Sequence, residues 1–198
     1  GKTGIELTAI SGEREAELTF LGLDGVADLS GNVVVADIGG GSTEIILARD
    51  RQVRFARSFP IGSGRLTERL APHDPPTGEE LMAAREFATE ALAAASFGET
   101  LGGRLYLTGG TGEYSFEMFP AGERATRATF DHLLRELRHI PSAELAARLG
   151  VAQARARVLP AGVAVARAVI ELAQPGEIRA ARSGIRRGLL LALFAGNL

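Results

Sequence analysis

The 198-residue chain is 45% hydrophobic and 23% charged with a net charge of −2, which is enough apolar material to bury the core of one domain. It has no cysteine, so a thiol nucleophile, thiolate zinc sites and disulfides are excluded; its longest apolar stretch, Leu189 to Ala195, is far short of the roughly 20 residues of a membrane helix. The three histidines, His73, His132 and His139, are scattered, and none has a second ligand at a metal-binding spacing.

In chain order, Ile5 to Ile10 alternates weakly and reads as a strand, followed by Ser11-Gly12 and a helix from Glu13 to Leu23. Three strand-like runs come next, Val33 to Ile38, Thr43 to Arg49 and Val53 to Phe59, with Arg49-Asp50-Arg51-Gln52 as a hairpin connection. Together they predict an antiparallel meander. A short helix follows Gly62-Ser63-Gly64-Arg65, and Ala71 to Gly78, with three prolines, reads as a loop. Thr77 and Glu80 form a capping box for a long helix that carries Leu81, Ala84, Ala88, Ala91 and Ala95 on one face. Arg104 to Thr108 predicts a strand that runs into a second glycine loop, Gly109-Gly110-Thr111-Gly112. From Phe130 the pattern is helical, with breaks expected at Pro141, Gly150 and Pro160. Pro175-Gly176 marks a turn, Glu177 to Ala181 a last strand, and Ile185 to Phe194 a closing helix. Opening on glycine close to an apparent strand, the sequence reads as a segment of a longer protein.

The most informative segment is Asp37-Ile38-Gly39-Gly40-Gly41-Ser42-Thr43-Glu44. Three successive glycines allow a sharp turn whose bare N–H groups approach an anion, with positive φ accessible. The Asp37 carboxylate stands at the mouth of that turn. Carboxylate oxygens hold Mg²⁺ while backbone donors hold phosphate, so the pattern suits a phosphorylated substrate with a divalent cation. An unpaired carboxylate at the end of a buried strand is costly, so a cation or several donors should surround it. A plain hydrogen-bonded turn carboxylate is the competing account for both Asp37 and Glu44. Gly1-Lys2-Thr3 mimics only the end of a phosphate-binding P-loop, and no Gly-x-Ser-x-Gly nucleophile elbow occurs.

Charge is unevenly distributed: residues 1–100 carry 9 basic and 16 acidic side chains, residues 101–198 carry 13 and 8. The second half could face a polyanion. Arg155, Arg157, Arg167, Arg179, Arg182, Arg186 and Arg187 are candidate phosphate contacts, because a guanidinium fork matches phosphate oxygens. Arginine outnumbers lysine 21 to 1, however, so compositional bias explains the same residues.

Ile10-Ser11-Gly12-Glu13-Arg14-Glu15-Ala16, Phe20-Leu21-Gly22 and Asp37 to Glu44 resemble the exopolyphosphatase and guanosine pentaphosphate phosphohydrolase family, within the actin, sugar kinase and Hsp70 superfamily. Further matches follow in order: Gly62, Thr108-Gly109-Gly110-Thr111, Arg155 with Leu159-Pro160-Ala161-Gly162, and Ser183-Gly184-Ile185-Arg186 with Gly188-Leu189-Leu190. Arg157 and Arg187 depart from the pattern, standing where it has acidic residues.

The resemblance implies an α/β fold: a ribonuclease H-like, actin-type lobe with a mixed sheet that contains an antiparallel meander and is flanked by helices. It implies a bacterial cytoplasmic hydrolase that takes terminal phosphates from inorganic polyphosphate, or the 5′ γ-phosphate from guanosine pentaphosphate. Glu15 matches the glutamate that activates water, with Asp37 and Glu44 as supporting carboxylates and as ligands of Mg²⁺ or another divalent cation. Gly39, Gly40, Gly41 and Ser42 match phosphate-loop positions; Gly109, Gly110 and Thr111 match a second such loop, or are merely a strand-to-helix turn. Glu15 also suits a helix first turn, where acids are favoured by the dipole. Residues 1–198 correspond to a second, C-terminal lobe. The first lobe, with its own phosphate loop, is the expected partner, so the isolated chain is expected to fold but hydrolyse little. A homodimer is compatible with the resemblance, whereas neither a membrane nor a specific nucleic acid is expected. An actin-like kinase and a non-catalytic phosphate- or nucleotide-binding regulatory domain are the alternatives.

Overall fold

The computed structural model describes residues 10–196. The strand expected at Ile5 to Ile10 thus lies outside the described residues except for Ile10, which is irregular. Helix α1 (Gly12–Leu23) starts one residue earlier than expected, with Ser11 Oγ accepting from Arg14 N at 3.2 Å. The meander is present as β1 (Asn32–Ile38), β2 (Thr43–Arg49) and β3 (Gln52–Phe59). Helix α2 (Ser63–Leu70) is followed by α3 (Gly78–Leu92), whose Thr77–Glu80 capping box is complete. Then come β4 (Arg104–Thr108), α4 (Gly109–Glu117), α5 (Arg127–Leu137), α6 (Ser142–Leu149), α7 (Gln153–Ala173), β5 (Glu177–Ala180) and α8 (Ile185–Phe194).

Several boundaries differ from the sequence reading: α3 stops at Leu92, with Ala95 in a 3₁₀ turn beyond it, and α5 begins at Arg127 rather than Phe130. Gly109-Gly110-Thr111-Gly112 is the first turn of α4, the strand-to-helix turn that stood as the alternative to a loop, entered through Gly109 at φ +73°. Pro160 does not end a helix; α7 runs through it. Its ring removes one N–H donor, but residues 159–170 of α7 are buried along their whole length, and that packing outweighs one missing hydrogen bond.

The sheet order is β3-β2-β1-β4-β5, antiparallel from β3 to β1 and parallel from β1 to β5. Val33 to Ala36 are all buried because both faces of β1 are covered, which is why the strand reads as one continuous apolar run. On one face Val34, Ala36 and Ile38 meet α7 and the helices around it. On the other, Val33 and Val35 meet Ala16, Phe20 and Leu23 of α1.

Alternation along the strands has a consequence at their ends. Asp37 pairs in register with Glu44 and with Thr108, and Glu44 pairs with Ser58. Directly paired residues project to the same face. A row of four polar side chains therefore lies on the α1 side of the sheet, where the apolar core stops.

Helix α1 is pinned to α8 main chain against main chain. A Cβ on Gly188 would sit 1.7 Å from Leu18 O, and one on Gly22 2.1 Å from Gly184 O. Ser183 Oγ donates to Gly22 O at 2.6 Å, and Arg187 Nη1 donates to the carbonyls of Gly22 and Asp24. Arg157 Nη2 likewise donates to Ala71 O and Pro72 O at the end of α2. Both arginines that depart from the family pattern thus place a cation on the carbonyl end of a helix, where the dipole favours it.

Candidate active site

A cleft of about 980 Å³ opens over the carboxyl ends of β1, β4 and β5, between the α1–α8 layer and the α7 layer. Ligand clefts in α/β sheets form at this position, because neighbouring loops diverge to opposite faces there. Its lining combines Glu15, Asp37 to Gly40, Ser63, Gly109 to Thr111, Arg155 and the segment Ala181 to Arg187. The first turns of α2, α4, α7 and α8 all contribute to this surface. A helix start carries roughly half a positive charge and favours an anion beside it, although at α2 the Ser63 and Arg65 N–H groups are already given to the carbonyls of Gly39 and Gly40.

Asp37 lies deepest. Burial, then the charge of Glu44 and less so that of Glu15, push its carboxyl up to about 6, against the pull of the Thr108 and Thr19 hydroxyls. Thr19 Oγ1 is 3.5 Å from Asp37 Oδ2; the buried Thr108 Oγ1 faces the same carboxylate closely enough to act on its charge but makes no hydrogen bond of good geometry. A Cβ at Gly109 would lie 2.5 Å from Asp37 Oδ1. Gly109 is thus glycine for two reasons, its positive φ and the carboxylate pressed against it.

Glu15 projects from the first turns of α1 into the same cleft. Burial, then the Glu44 charge, raise its carboxyl above the ordinary value. Glu44 is 2% exposed and accepts from Ser58 Oγ at 2.6 Å. It lies behind Asp37 and outside the cleft lining, acting on Glu15 and Asp37 through its charge.

The glycine turn is held from outside. Ser63 N donates to Gly39 O at 2.8 Å and Arg65 N to Gly40 O at 3.0 Å, while Gly39 N donates to Ser42 O at 3.0 Å. None of Gly39, Gly40 and Gly41 has a positive φ. The need for glycine shows instead at Gly62, where a Cβ would meet the Gly40 carbonyl carbon at 2.4 Å and Gly41 N at 2.5 Å. Gly39 and Gly40 line the cleft, whereas Gly41 and Ser42 do not. Gly109, Gly110 and Thr111 line it as the start of α4.

Of the seven candidate arginines, Arg155, Arg182, Arg186 and Arg187 line the cleft. Arg167 is fully buried against Asp131 and Glu171, Arg179 pairs with Glu177, and Arg157 is spent on the α2 carbonyls. Tyr114, Glu113 and Ser63 also line the cleft and were not anticipated. Gly62-Ser63-Gly64, already a helix-start pattern, was the available signal for Ser63.

A divalent cation fits the donors present. Asp37 is a half-buried carboxylate short of compensating positive charge, beside a Thr108 hydroxyl that makes no hydrogen bond of good geometry. No group of three or more His, Cys, Asp or Glu side chains able to hold a metal occurs among the described residues. An ion held by one carboxylate together with water and substrate phosphates, as Mg²⁺ commonly is, needs no more.

The profile of the Ppx/GppA phosphatase family matches residues 1–195. Exopolyphosphatase 1 of Mycobacterium tuberculosis is 30% identical over 209 aligned positions, covering 96% of this chain and 59% of that protein. Exopolyphosphatase 2 of the same organism is 44% identical over 93 positions, covering 46% of this chain and 29% of that protein. A crystal structure of the Aquifex aeolicus Ppx/GppA family member superimposes with a TM-score of 0.83 at 27% identity, over 98% of this chain and 66% of the other. That of an exopolyphosphatase-like protein gives 0.82 at 26% identity, over 98% and 70%. The chain spans about 59% of the length of the first of these curated relatives.

Proposed function

The chain belongs to the Ppx/GppA phosphatase family and has its actin-like fold, and from that premise we propose that it is the lobe of a phosphohydrolase that carries the water-activating acid and one wall of the phosphate cleft. The substrate best suited to it is inorganic polyphosphate, shortened from its end; guanosine pentaphosphate, cleaved at its 5′ γ-phosphate, is the second candidate. The observation that carries the reading is the juxtaposition of Glu15 and Asp37 in one cleft lined by helix starts and by Arg155 and Arg186.

In this mechanism the terminal phosphoryl group lies against the starts of α2 and α4, beside Gly39 and Gly40. Glu15 takes a proton from a water, whose oxygen attacks the terminal phosphorus. The phosphoanhydride bond breaks with its electron pair passing to the bridging oxygen of the departing chain, now one phosphate shorter. The raised affinity of Glu15 for a proton makes it a better base than an exposed glutamate, once ionised. Charge that builds on the departing oxygen faces N–H groups and guanidinium forks instead of water, which is where most of the rate gain in phosphoryl transfer arises. Asp37, with the substrate oxygens, would hold a magnesium ion, which supplies charge neutralisation at the phosphates; Glu44 supports this from behind through its negative field.

The test is phosphate release by the complete protein from polyphosphate and from guanosine pentaphosphate, with and without Mg²⁺. Release from neither substrate refutes the reading. The isolated lobe should bind polyphosphate yet turn it over slowly, because one wall of a cleft stabilises the transferring group from one side only.

A further inference from the structure

Arg182 sits at the mouth of the cleft in the short connection between β5 and α8. Its guanidinium does not point at Asp37 but runs outward along α4, pairing with Glu117 Oε1 at 3.2 Å and Glu113 Oε1 at 3.8 Å. Glu117 is the last residue of α4, whereas Gly109, the first, touches Asp37. Eight residues of α-helix separate them by about 12 Å. A cation therefore stands about 6 to 12 Å along α4 from the Asp37 end, fastened to two carboxylates, Glu113 one turn in and Glu117 at the far end.

That fastening is weak. The Arg182 side chain is 72% exposed, and exposed ion pairs contribute little because water screens them. A polyphosphate chain offers several phosphate oxygens at once, each a geometric match for a guanidinium fork. The chain can take Arg182 from Glu113 and Glu117 at small cost, provided it extends far enough to reach the rim. A substrate of two or three phosphates lies inside the helix starts and leaves the pair intact.

We propose that Arg182 is a chain-length reader: an outer anchor that engages long linear polyphosphate and not short polyphosphates, with Glu113 and Glu117 as its competing internal ligands. The proposal rests on the hydrolase reading given above and adds the substrate range of the same site. Glu117 opposes binding of long chains in this scheme, so its removal should strengthen it.

The experiment compares the complete protein with its Arg182→Ala and Glu117→Gln variants on tripolyphosphate and on chains of many units. Arg182→Ala should raise KM for long chains about 3- to 5-fold, the scale of an exposed charge pair, with kcat and the tripolyphosphate KM unchanged. Glu117→Gln should lower KM for long chains and leave tripolyphosphate alone. Equal change on both substrates, no change on either, or a higher long-chain KM in Glu117→Gln overturns the proposal. Equilibrium binding of both lengths to a Glu15→Gln background keeps the two readings apart. Length-dependent binding without phosphate release by the parent protein defeats the hydrolase reading alone, and length-independent binding alongside normal release defeats only this one.

Discussion

Replacing Asp37 by asparagine should make the lobe more stable at neutral and alkaline pH while removing its function. The Asp37 carboxyl is displaced from 3.8 to about 6 on folding, which corresponds to about 3 kcal/mol. The folded state holds this proton more tightly than the unfolded state. The associated stability is therefore fully present below about pH 3.8 and lost as pH rises through about 6. Above that range wild-type protein carries the whole burden of an ionised, half-buried carboxylate facing Glu44 and Glu15. Asparagine keeps the shape and cannot ionise. In thermal melts with a chelator present, Asp37→Asn should exceed wild type at about pH 8 by up to about 3 kcal/mol, or about 6 to 12 °C in a domain of this size. The gain should shrink steadily towards about pH 4. Adding Mg²⁺ should raise the wild-type melting temperature and narrow the gap, because a ligand that binds only the folded state stabilises it. A variant less stable than wild type at pH 8, or a gain that does not depend on pH, refutes the account of why Asp37 is there.

Further expectations concern the remaining parts of the cleft. Glu15→Gln in the complete protein should lower kcat by about 100- to 10,000-fold with polyphosphate binding retained, measured by phosphate release beside equilibrium binding; unchanged turnover removes Glu15 from the chemistry. Gly62→Ala places a methyl 2.4 Å from the Gly40 carbonyl carbon; the backbone there cannot step aside, so the glycine turn should shift, and polyphosphate affinity should fall about tenfold or more in a titration. Raising salt from about 0.05 to about 0.5 M should weaken binding of long polyphosphate more than that of tripolyphosphate, since the exposed Arg182 at the rim is screened; equal salt slopes for both would contradict that placement.

How much was legible beforehand differs between the strands, the loops and the rim. Strands β1 to β3 were readable because β1 and β2 are covered on both faces, so their apolar runs are unbroken, and because Asp50-Arg51 turns between polar neighbours. The start of α4 was not. Gly109-Gly110-Thr111-Gly112 has poor helix propensity, and only the closeness of Asp37 and of Leu107 O, 2.6 Å from a Cβ on Gly112, explains why glycine persists inside a helix. Pro160 misled for the opposite reason: its local cost is outweighed by burial that only the tertiary structure shows. The basic second half pointed to a polyanion, yet sequence alone did not separate Arg155 and Arg182 from Arg167. That distinction depends on which helix starts converge over β1 and β4, a matter of topology rather than composition. Glu15 came from the family resemblance and Asp37 from the glycine-rich segment it precedes, and no local pattern placed the two in one cleft.

The crossing of α1 over α8 sets a limit on how this chain can change. Gly22 and Gly188 meet across main chain, and each already has the smallest side chain available. An enlargement at one position leaves nothing to be trimmed at the other, so genetic screens for second-site suppressors of Gly22→Ala or Gly188→Ala should recover reversions and little else.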